Sequence, residues 1–291
     1  MKVSEVLKNE SPSLSFEVFP PKKESAFESV KEATEQVASL SPSYMSVTYG
    51  AGGGRSKFTV DVAANLMQRY GTTVVAHLTC VSSTREQVDE QIDRMKENGI
   101  DNILALRGDI PEGAPAREDW SFGHASELVS YIKERGDFCV GGACYPEGHP
   151  ESEHIMVDIG HMKEKQDAGL DYFVTQMFFD NNVMYNYLFK MREAGITVPV
   201  VPGIMPFTKK SQLTRIKDLS GSFLPQRFIQ MVDRFGDDPE SIEEAGIAYA
   251  TDQIIDLFAN GINHVHVYTM NNYHVASSIL DNLRHITGRD R

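Results

Sequence analysis

This chain of 291 residues contains few cysteines, no long apolar run and no excess of positive charge. The three cysteines, Cys80, Cys139 and Cys144, form no C-x-x-C pair, so a disulfide framework or a structural zinc site is not expected. A reducing compartment fits this usage. No apolar run approaches the roughly 18 residues of a membrane span, and the N-terminal segment lacks the apolar core of a signal peptide. We therefore expect a cytoplasmic protein without membrane contact.

Acidic side chains outnumber basic ones. The chain carries 41 Asp and Glu against 28 Lys and Arg, which gives a formal net charge of -13 and a pI of about 5.1. Because such a surface repels phosphate backbones, no nucleic-acid partner is expected, although a local basic pocket can still hold one phosphorylated cofactor. The hydrophobic share of 41% is typical of a soluble globular protein long enough to bury a sizeable core.

Short apolar, β-branched or aromatic runs alternate with longer amphipathic stretches along the whole chain, as in parallel α/β proteins. The runs predict strands over Leu14–Phe19, Tyr44–Thr48, Thr73–Leu78, Asn102–Leu106, Phe138–Cys144, Tyr172–Met177, Val198–Val201 and His264–Tyr268. The amphipathic stretches predict helices over Ala26–Leu40, Lys57–Arg69, Thr84–Asn98, Ala125–Glu134, Ile155–Ala168, Asn181–Glu193 and Ser241–Ala259.

Each predicted strand and the helix after it form one βα unit, and the chain contains about eight of them. This number over this length predicts an α/β fold, a (β/α)8 TIM barrel forming a single domain over residues 1–291. An open doubly wound sheet is the main alternative. Glycines that follow helical patterns, as in Asn98-Gly99 and Asn260-Gly261, match the αβ loops of a parallel sheet. The segment Ser220–Pro239 is predicted to be an inserted loop with a short helix.

Polar residues cluster where the predicted strands end, which in a barrel is the face that carries active sites. Glu17 stands in the otherwise apolar SFEVFPP, where burial would raise the pKa of its carboxyl and suit it to general-acid catalysis. The alternative is an outward-facing Glu or one paired with a Lys or Arg. Arg107 and Asp109, in ALRGDIP, suit a cofactor phosphate and a heterocycle, or form a local ion pair. Gln176, in TQMFFD, can hydrogen-bond a ring edge or tie down a loop.

Other catalytic classes find little support. No G-x-S-x-G elbow is present, and the strand-like runs contain no lysine for a Schiff base. The residues His, Cys, Asp and Glu do not gather at metal-ligand spacing, so no metal is expected, although His149 in ACYPEGHP resembles a ligand. The glycine-rich end of YMSVTYGAGGG lacks both GK[ST] and a complete G-x-G-x-x-G.

Taken in order, the motifs of this chain resemble those of the bacterial methylenetetrahydrofolate reductases over nearly its whole length. They are SFEVFPPK, YMSVTYGA, AHLTC, ALRGDIP, YPEGHPE, DAGLDYFVTQMFFD, VPGIMP and HVYTMN. The resemblance implies a TIM barrel that binds FAD non-covalently, is reduced by NADH or NADPH, and then reduces 5,10-methylenetetrahydrofolate to 5-methyltetrahydrofolate. It also implies a ping-pong order, a place in methionine synthesis and a homo-oligomer.

The resemblance assigns roles to particular residues. Glu17 matches the catalytic acid that protonates the folate nitrogen, and Asp109 matches an aspartate between flavin and pterin that tunes the flavin. Gln176 matches a glutamine that contacts substrate and nicotinamide, and Gln212 a further substrate contact. The positions that match flavin contacts are Thr48, Tyr49, Ala51, His77, Arg107, Gly108, Asp109, Ala125, Tyr145, His149, Asp158 and Lys165.

Four positions depart from the family's pattern. His161 and Glu164 replace an Asn and an Arg, which puts diphosphate or adenosine contacts in doubt. Asn272 replaces an Arg that contacts folate. Ile216 replaces an aromatic that stacks on the nicotinamide nucleotide, so the choice between NADH, NADPH and another donor stays open.

Two other functions fit the same barrel face. A metal-independent lyase or aldolase would bind no flavin and would normally use a basic residue at a strand end. A non-catalytic flavin- or folate-binding protein is favoured only by Glu164 and Asn272, and the presence of Glu17 argues against it.

Overall fold

The computed structural model of the chain describes residues 1–49, 58–81, 83–110, 113, 120–213, 216 and 222–289. These residues contain a nearly closed barrel of nine parallel strands in the spatial order β7-β6-β5-β4-β3-β2-β1-β9-β8. The strands are β1 Ser13–Val18, β2 Met45–Val47, β3 Val74–Thr79, β4 Asn102–Leu106, β5 Cys139–Cys144, β6 Tyr172–Thr175, β7 Val200–Val201, β8 Gly203–Ile204 and β9 His264–Tyr268.

The predicted seventh strand, Val198–Val201, is observed as β7 over Val200–Val201, and a further short strand, β8, follows it beyond Pro202. β7 pairs with β6, whereas β8 pairs with β9, so residues 200–204 connect the two edges of the sheet. Proline has no backbone N–H and cannot donate in a ladder, although its carbonyl still accepts from the backbone of His266 at 2.8 Å. The structure therefore confirms the predicted barrel and not the alternative open sheet. Strand pairing also continues beyond Val201, the last residue of the predicted strand.

Among the described residues, the α-helices in chain order are α1 Val3–Val6, α2 Phe27–Ser39, α3 Thr59–Tyr70, α4 Arg85–Glu97, α5 Ala125–Arg135, α6 Ile155–Asp167, α7 Asn181–Glu193, α8 Gln226–Phe235, α9 Pro239–Ala259 and α10 Tyr273–Leu283. The longer helices, from α2 onward, cover the outside of the barrel. α8 confirms the short helix predicted in the insertion. α9 begins two residues before its predicted start, because Asp238 accepts a hydrogen bond from the backbone of Ser241 and Pro239 suits the first turn.

The barrel has two apolar layers because successive strand residues point to opposite faces. Outward-facing side chains such as Phe16, Val18 and Val47 pack against the helices. The interior of the barrel is filled by the rings of Tyr44 and Tyr172 together with aliphatic side chains. Gly141 makes room for them, since a Cβ there would lie 2.5 Å from the Tyr172 ring.

The short helix α1 contacts the inner layer of the barrel. Val3 is fully buried in that layer, and its backbone N–H donates to the side-chain oxygen of Asn102 at 2.8 Å. Lys2 forms an ion pair with Asp137 beside it. The polar chemistry described below lies at the other end of the strands. In the described part of the chain, no helix is long and apolar enough to cross a membrane.

Candidate active site

A cavity of about 680 Å³ opens at the carboxyl ends of the strands. Its volume falls within the range typical of small-molecule sites, about 300–1,000 Å³. It brings together most of the predicted site residues, which come from positions far apart in the chain. These are Glu17, Thr48, Tyr49, His77, Arg107, Gly108, Asp109, Ala125, Tyr145, His149, Lys165 and Gln176.

Two of the described site residues that were predicted, Asp158 and Gln212, do not line this cavity. A third predicted residue, Ala51, lies outside the described residues. Asp158, on α6, is 2% exposed and lies behind the wall near His149 and Lys165. Burial raises the pKa of the Asp158 carboxyl, although the charges of Lys165 and His149 oppose this. The side-chain oxygen of Gln212 accepts from the backbone N–H groups of Thr208 and Lys209 at 2.8 and 3.0 Å, which closes a turn.

Glu17 points into the barrel because its neighbours Phe16 and Val18 occupy the outward face of β1. Its side chain keeps 22% exposure. One carboxyl oxygen lies 3.6 Å from Nε2 of His77 and 3.9 Å from Nε2 of His266. Among the described residues no Lys or Arg forms an ion pair with it. The alternative of an outward-facing Glu17 is therefore wrong, and pairing with a Lys or Arg is not seen among the described residues.

The protonation states around Glu17 follow from burial. Desolvation raises the pKa of the Glu17 carboxyl to about 8, and a hydrogen bond with Ser46 opposes part of that rise. Burial lowers the pKa of His77 to about 3, and burial together with the nearby His77 does the same for His266. At neutral pH Glu17 therefore holds a proton while both imidazoles are neutral.

We expect this raised pKa to appear in the stability of the protein. Folded Glu17 keeps its proton up to about pH 8, whereas the unfolded carboxyl loses it near its ordinary pKa of 4.5. The contribution of protonated Glu17 to the free energy of unfolding is thus complete below pH 4.5. It is lost as pH rises to 8, by up to about 1.4 kcal/mol per pH unit. Urea unfolding at several pH values should show wild type losing stability relative to Glu17→Gln across this window. A difference independent of pH would contradict the assignment.

The segment Arg107-Gly108-Asp109 follows β4 and turns sharply. Gly108 has φ of +88°, and a Cβ there would lie 3.0 Å from side-chain atoms of Thr79 and Val81, so glycine suits both the backbone and the packing. The Arg107 guanidinium donates two hydrogen bonds to the Glu151 carboxylate, at 2.7 and 2.6 Å. The ion pair of Arg107 is therefore made with Glu151 of the loop after β5, and the alternative of a local pair with Asp109 is wrong. Asp109 is exposed and lines the cavity.

Two aromatic rings, a lysine and an amide line the cavity wall beyond Arg107. The ring of Tyr145 meets that of His149 edge-on, with centroids 4.6 Å apart. Lys165 donates to the carbonyl of Ala143 at 2.8 Å, which holds its ammonium group at the cavity. The side-chain oxygen of Gln176 accepts from the backbone of Met177 at 2.9 Å, which fixes the amide at the end of β6.

The end of β9 contributes residues that sequence reasoning placed only in part. Tyr268 is the last residue of the predicted strand His264–Tyr268, and its hydroxyl donates to the carbonyl of Thr175 across the cavity floor. A Cβ on Gly203 would lie 2.4 Å from that hydroxyl, so the glycine permits this contact. Asn271, in the left-handed region at φ +57°, bonds both backbone groups of Phe19 and ties the end of β9 to that of β1.

His266, Ser15 and Ser46 were missed by sequence reasoning. All three are buried inside the barrel below Glu17. The available signal was the alternation of polar residues at every second position, which places Ser15 with Glu17 on β1, Ser46 with Thr48 at β2 and His266 with Tyr268 on β9.

The positions that depart from the family's pattern have other contacts here. His161 and Glu164 form an exposed pair at 3.4 Å on α6. Asn272 caps α10, since its side chain accepts from the backbone of Val275. Ile216 is 1% exposed and packs with apolar residues such as Phe207. Within the described ranges, no three His, Cys, Asp or Glu side chains gather in a way that could hold a metal ion.

Comparison with known proteins places this architecture in a family. A sequence model described as methylenetetrahydrofolate reductase matches residues 2–284. The 5,10-methylenetetrahydrofolate reductases of Pectobacterium carotovorum subsp. carotovorum and Escherichia coli (strain K12) are 34% and 33% identical, over 93% of this chain and 90% of their own. Methylenetetrahydrofolate reductase (NADH) 1 of Arabidopsis thaliana is 32% identical over 97% of this chain. The chain spans about half the length of this plant relative and of the methylenetetrahydrofolate reductases of Schizosaccharomyces pombe and Saccharomyces cerevisiae that it also matches.

Solved structures show the same fold at low identity. An uncharacterised protein of Clostridium thermocellum, described as binding two copies of 5-methyl-5,6,7,8-tetrahydrofolic acid, superposes with a TM-score of 0.69 at 16% identity. The match covers 98% of this chain and 99% of that one. Oxaloacetate acetylhydrolase gives a TM-score of 0.55 at 11% identity, over 97% and 86% of the two chains. Because the family model spans nearly the whole chain and the bacterial relatives exceed 30% identity along most of their length, the chain belongs to the methylenetetrahydrofolate reductase family.

Proposed function

We propose that this protein is an FAD-dependent oxidoreductase that converts 5,10-methylenetetrahydrofolate to 5-methyltetrahydrofolate with NADH or NADPH as electron donor. The observation that carries the proposal is a neutral carboxylic acid, Glu17, held at a cavity whose walls present Arg107, Lys165 and Gln176. Such a site can bind an anionic, flat cofactor and deliver a proton to a second ligand.

The residues present fit a flavin dinucleotide. Its diphosphate is anionic, and Arg107, Lys165 and the N-terminus of α5 at Ala125 offer positive charge or dipole at one wall. The buried Nε2 of His77 lines the same cavity and has no hydrogen-bond partner within the described residues, so it is available to a ligand. The residues that would hold FAD are Thr48, Tyr49, His77, Arg107, Gly108, Asp109, Ala125, Tyr145, His149 and Lys165, with Asp158 buried behind His149 and Lys165. When bound, FAD supplies the two-electron chemistry that side chains lack.

Glu17 acts as the general acid in this proposal. The proton on its carboxyl passes to the folate nitrogen, so that a C–N bond of the methylene bridge opens and leaves an electrophilic iminium carbon. The raised pKa of about 8 keeps the proton in place at pH 7, close enough to the working pH for efficient transfer. His77 and His266 are neutral, so neither draws the proton away as an ion-pair partner.

Asp109 and Gln176 orient the two ligands. The Asp109 carboxylate is exposed at the cavity, where its charge bears on any heterocycle bound beside it. Gln176 has its oxygen fixed by the backbone of Met177, which sets the direction in which its amide meets a pterin or a nicotinamide. Gln212 receives no substrate contact in this proposal, because its side-chain oxygen closes a turn with Thr208 and Lys209 away from the cavity lining. One cavity then serves both half-reactions in turn, which is a ping-pong order.

The wider role belongs to the same proposal. The product would supply methyl groups for methionine synthesis in the cytoplasm, and the protein would act as a homo-oligomer without nucleic-acid or membrane partners.

Product analysis tests this function directly. We expect purified protein loaded with FAD to form 5-methyltetrahydrofolate from 5,10-methylenetetrahydrofolate under anaerobic conditions when NADH or NADPH is added. Mass spectrometry would quantify the product with each donor, and a reaction without donor is the control. No product with either donor would reject the proposal and favour a binding protein or another barrel enzyme.

A further inference from the structure

A row of polar side chains runs inside the barrel below the cavity. On β1 the inward residues include Ser15 and Glu17, and the register places them beside His266 and Tyr268 of β9. Ser15 and His266 are each 1% exposed. The proposed chemistry uses Glu17 and leaves this buried row without a role. Buried polar groups are costly unless each is satisfied, so the pattern of their hydrogen bonds is informative.

Both ring nitrogens of His266 meet a hydroxyl. Nδ1 lies 2.7 Å from Oγ of Ser15, and Nε2 lies 3.0 Å from Oγ of Ser46. Because the imidazole is neutral, one nitrogen must donate and the other must accept. Each hydroxyl can do either. The hydroxyl of Ser15 also lies 3.4 Å from the carbonyl of Val265. Ser46 is the register partner of Glu17 on the neighbouring strand β2, and its hydroxyl lowers the pKa of the Glu17 carboxyl.

These contacts permit two complete arrangements that run in opposite directions. When Glu17 is ionised, Ser46 donates to the carboxylate, His266 donates from Nε2 to Ser46, and Ser15 donates to Nδ1. When Glu17 is protonated, its O–H donates to Ser46, Ser46 donates to Nε2, and His266 donates from Nδ1 to Ser15. The hydroxyl of Ser15 then donates to Val265. The second arrangement contains one proton more than the first, and that proton is the one on Glu17.

We propose that His266 is a positioning residue that changes tautomer with the protonation state of Glu17, through the hydroxyl of Ser46. The Nδ1–H form accompanies protonated Glu17, and the Nε2–H form accompanies the carboxylate that remains after the proton is given away. The Ser46 hydroxyl can therefore donate a hydrogen bond to the Glu17 carboxylate and accept one from the Glu17 carboxylic acid. The catalytic relevance rests on the proposed function, but the tautomer change itself does not.

The other groups around His266 do not change charge where Glu17 titrates. Tyr44, which immediately precedes β2, stacks on the imidazole with ring centroids 5.6 Å apart, and Tyr268 meets it edge-on at the same distance. Burial raises the pKa of both phenols, so both stay protonated. His77 of β3 lies on the other side of Glu17 and stays neutral. Glu17 is therefore the group whose titration His266 reports.

Nitrogen NMR of the full-length protein with ¹⁵N-labelled histidine side chains tests the proposal. Between pH 6 and pH 10 we expect the His266 resonances to move from the Nδ1–H to the Nε2–H pattern, with the same midpoint as the ¹³C signal of the Glu17 carboxyl. His264 is an internal control on the same strand. Its Nδ1 lies 2.9 Å from the hydroxyl of Ser13, and no contact of the described structure links it to Glu17. Its tautomer should not follow that midpoint.

Two variants sharpen the test. Glu17→Gln should hold His266 in one tautomer across the range. Ser46→Ala should uncouple the ring and raise the midpoint of Glu17 by about one pH unit, since the carboxylate loses a donor. A His266 tautomer that stays constant through the midpoint of Glu17 in wild type would overturn the proposal, even in an active reductase. A coupled change in a protein that makes no 5-methyltetrahydrofolate would reject the proposed function alone.

Discussion

Replacing Glu17 by Gln is expected to slow reduction of the folate by roughly 10²–10⁴-fold, the usual contribution of a positioned general acid. The amide has nearly the same shape but cannot give a proton to the folate nitrogen. Flavin binding and flavin reduction by NADH should change little, because neither needs a proton from this group. Stopped-flow absorbance, with each half-reaction followed separately under anaerobic conditions, would measure both rates.

A matched control for this variant is Glu134→Gln, which removes one carboxylate from the exposed surface of α5. It should leave both half-reactions at wild-type rates. If Glu17→Gln reduced the folate as fast as the control, the proton would have to come from elsewhere, and Glu17 would not be the acid.

Replacing Gly246 by Ala is expected to lower the free energy of unfolding by about 3 kcal/mol or more. Gly246 lies in α9, and a Cβ there would lie 1.5 Å from the carbonyl oxygen of Phe207. That carbonyl belongs to the backbone, so no side-chain rotation can relieve the clash. The helix must move away from the segment that follows β8, and buried contacts of Phe207 and Phe228 are lost with it.

Gly160→Ala is the matched control in a second helix. Gly160 is exposed on α6, and a Cβ there would meet nothing within 4 Å. The change should therefore stabilise the protein by roughly 0.5–1 kcal/mol through lower backbone entropy of the unfolded chain. Urea unfolding of both variants gives the comparison. Equal stability of the two would show that α9 does not pack against residue 207 as described.

Much of the barrel could be predicted because its strands are buried on both faces. Such strands are short, nearly continuous apolar runs, and their helices carry a 3.6-residue period. The boundary at Pro202 could not be predicted in the same way. Proline and glycine normally end a strand, and only the pairing of β8 with β9 reveals that the chain continues across them. The four-residue α1 is too short to show any period.

The sequence alone could predict which strand ends carry polar groups of the candidate site. It could not predict how those groups contact one another. Glu17 was identified because a carboxyl in an apolar strand is unusual. The partner of Arg107 could not be identified, since Glu151 lies 44 residues away on another loop. The orientation of His266 and its two serine contacts likewise depend on the registers of β1 with β9 and with β2. Distances of this kind are set by tertiary packing, which a single sequence does not encode in any local pattern.

An anaerobic absorbance spectrum of the purified protein reconstituted with FAD tests the central claim most directly. NADH or NADPH is added first, and 5,10-methylenetetrahydrofolate follows once the donor is consumed. The account predicts a flavin spectrum that bleaches with the donor and returns with the folate, because one cavity serves both half-reactions. A protein that fails to bind FAD, or a reduced flavin that stays bleached after the folate is added, would contradict it.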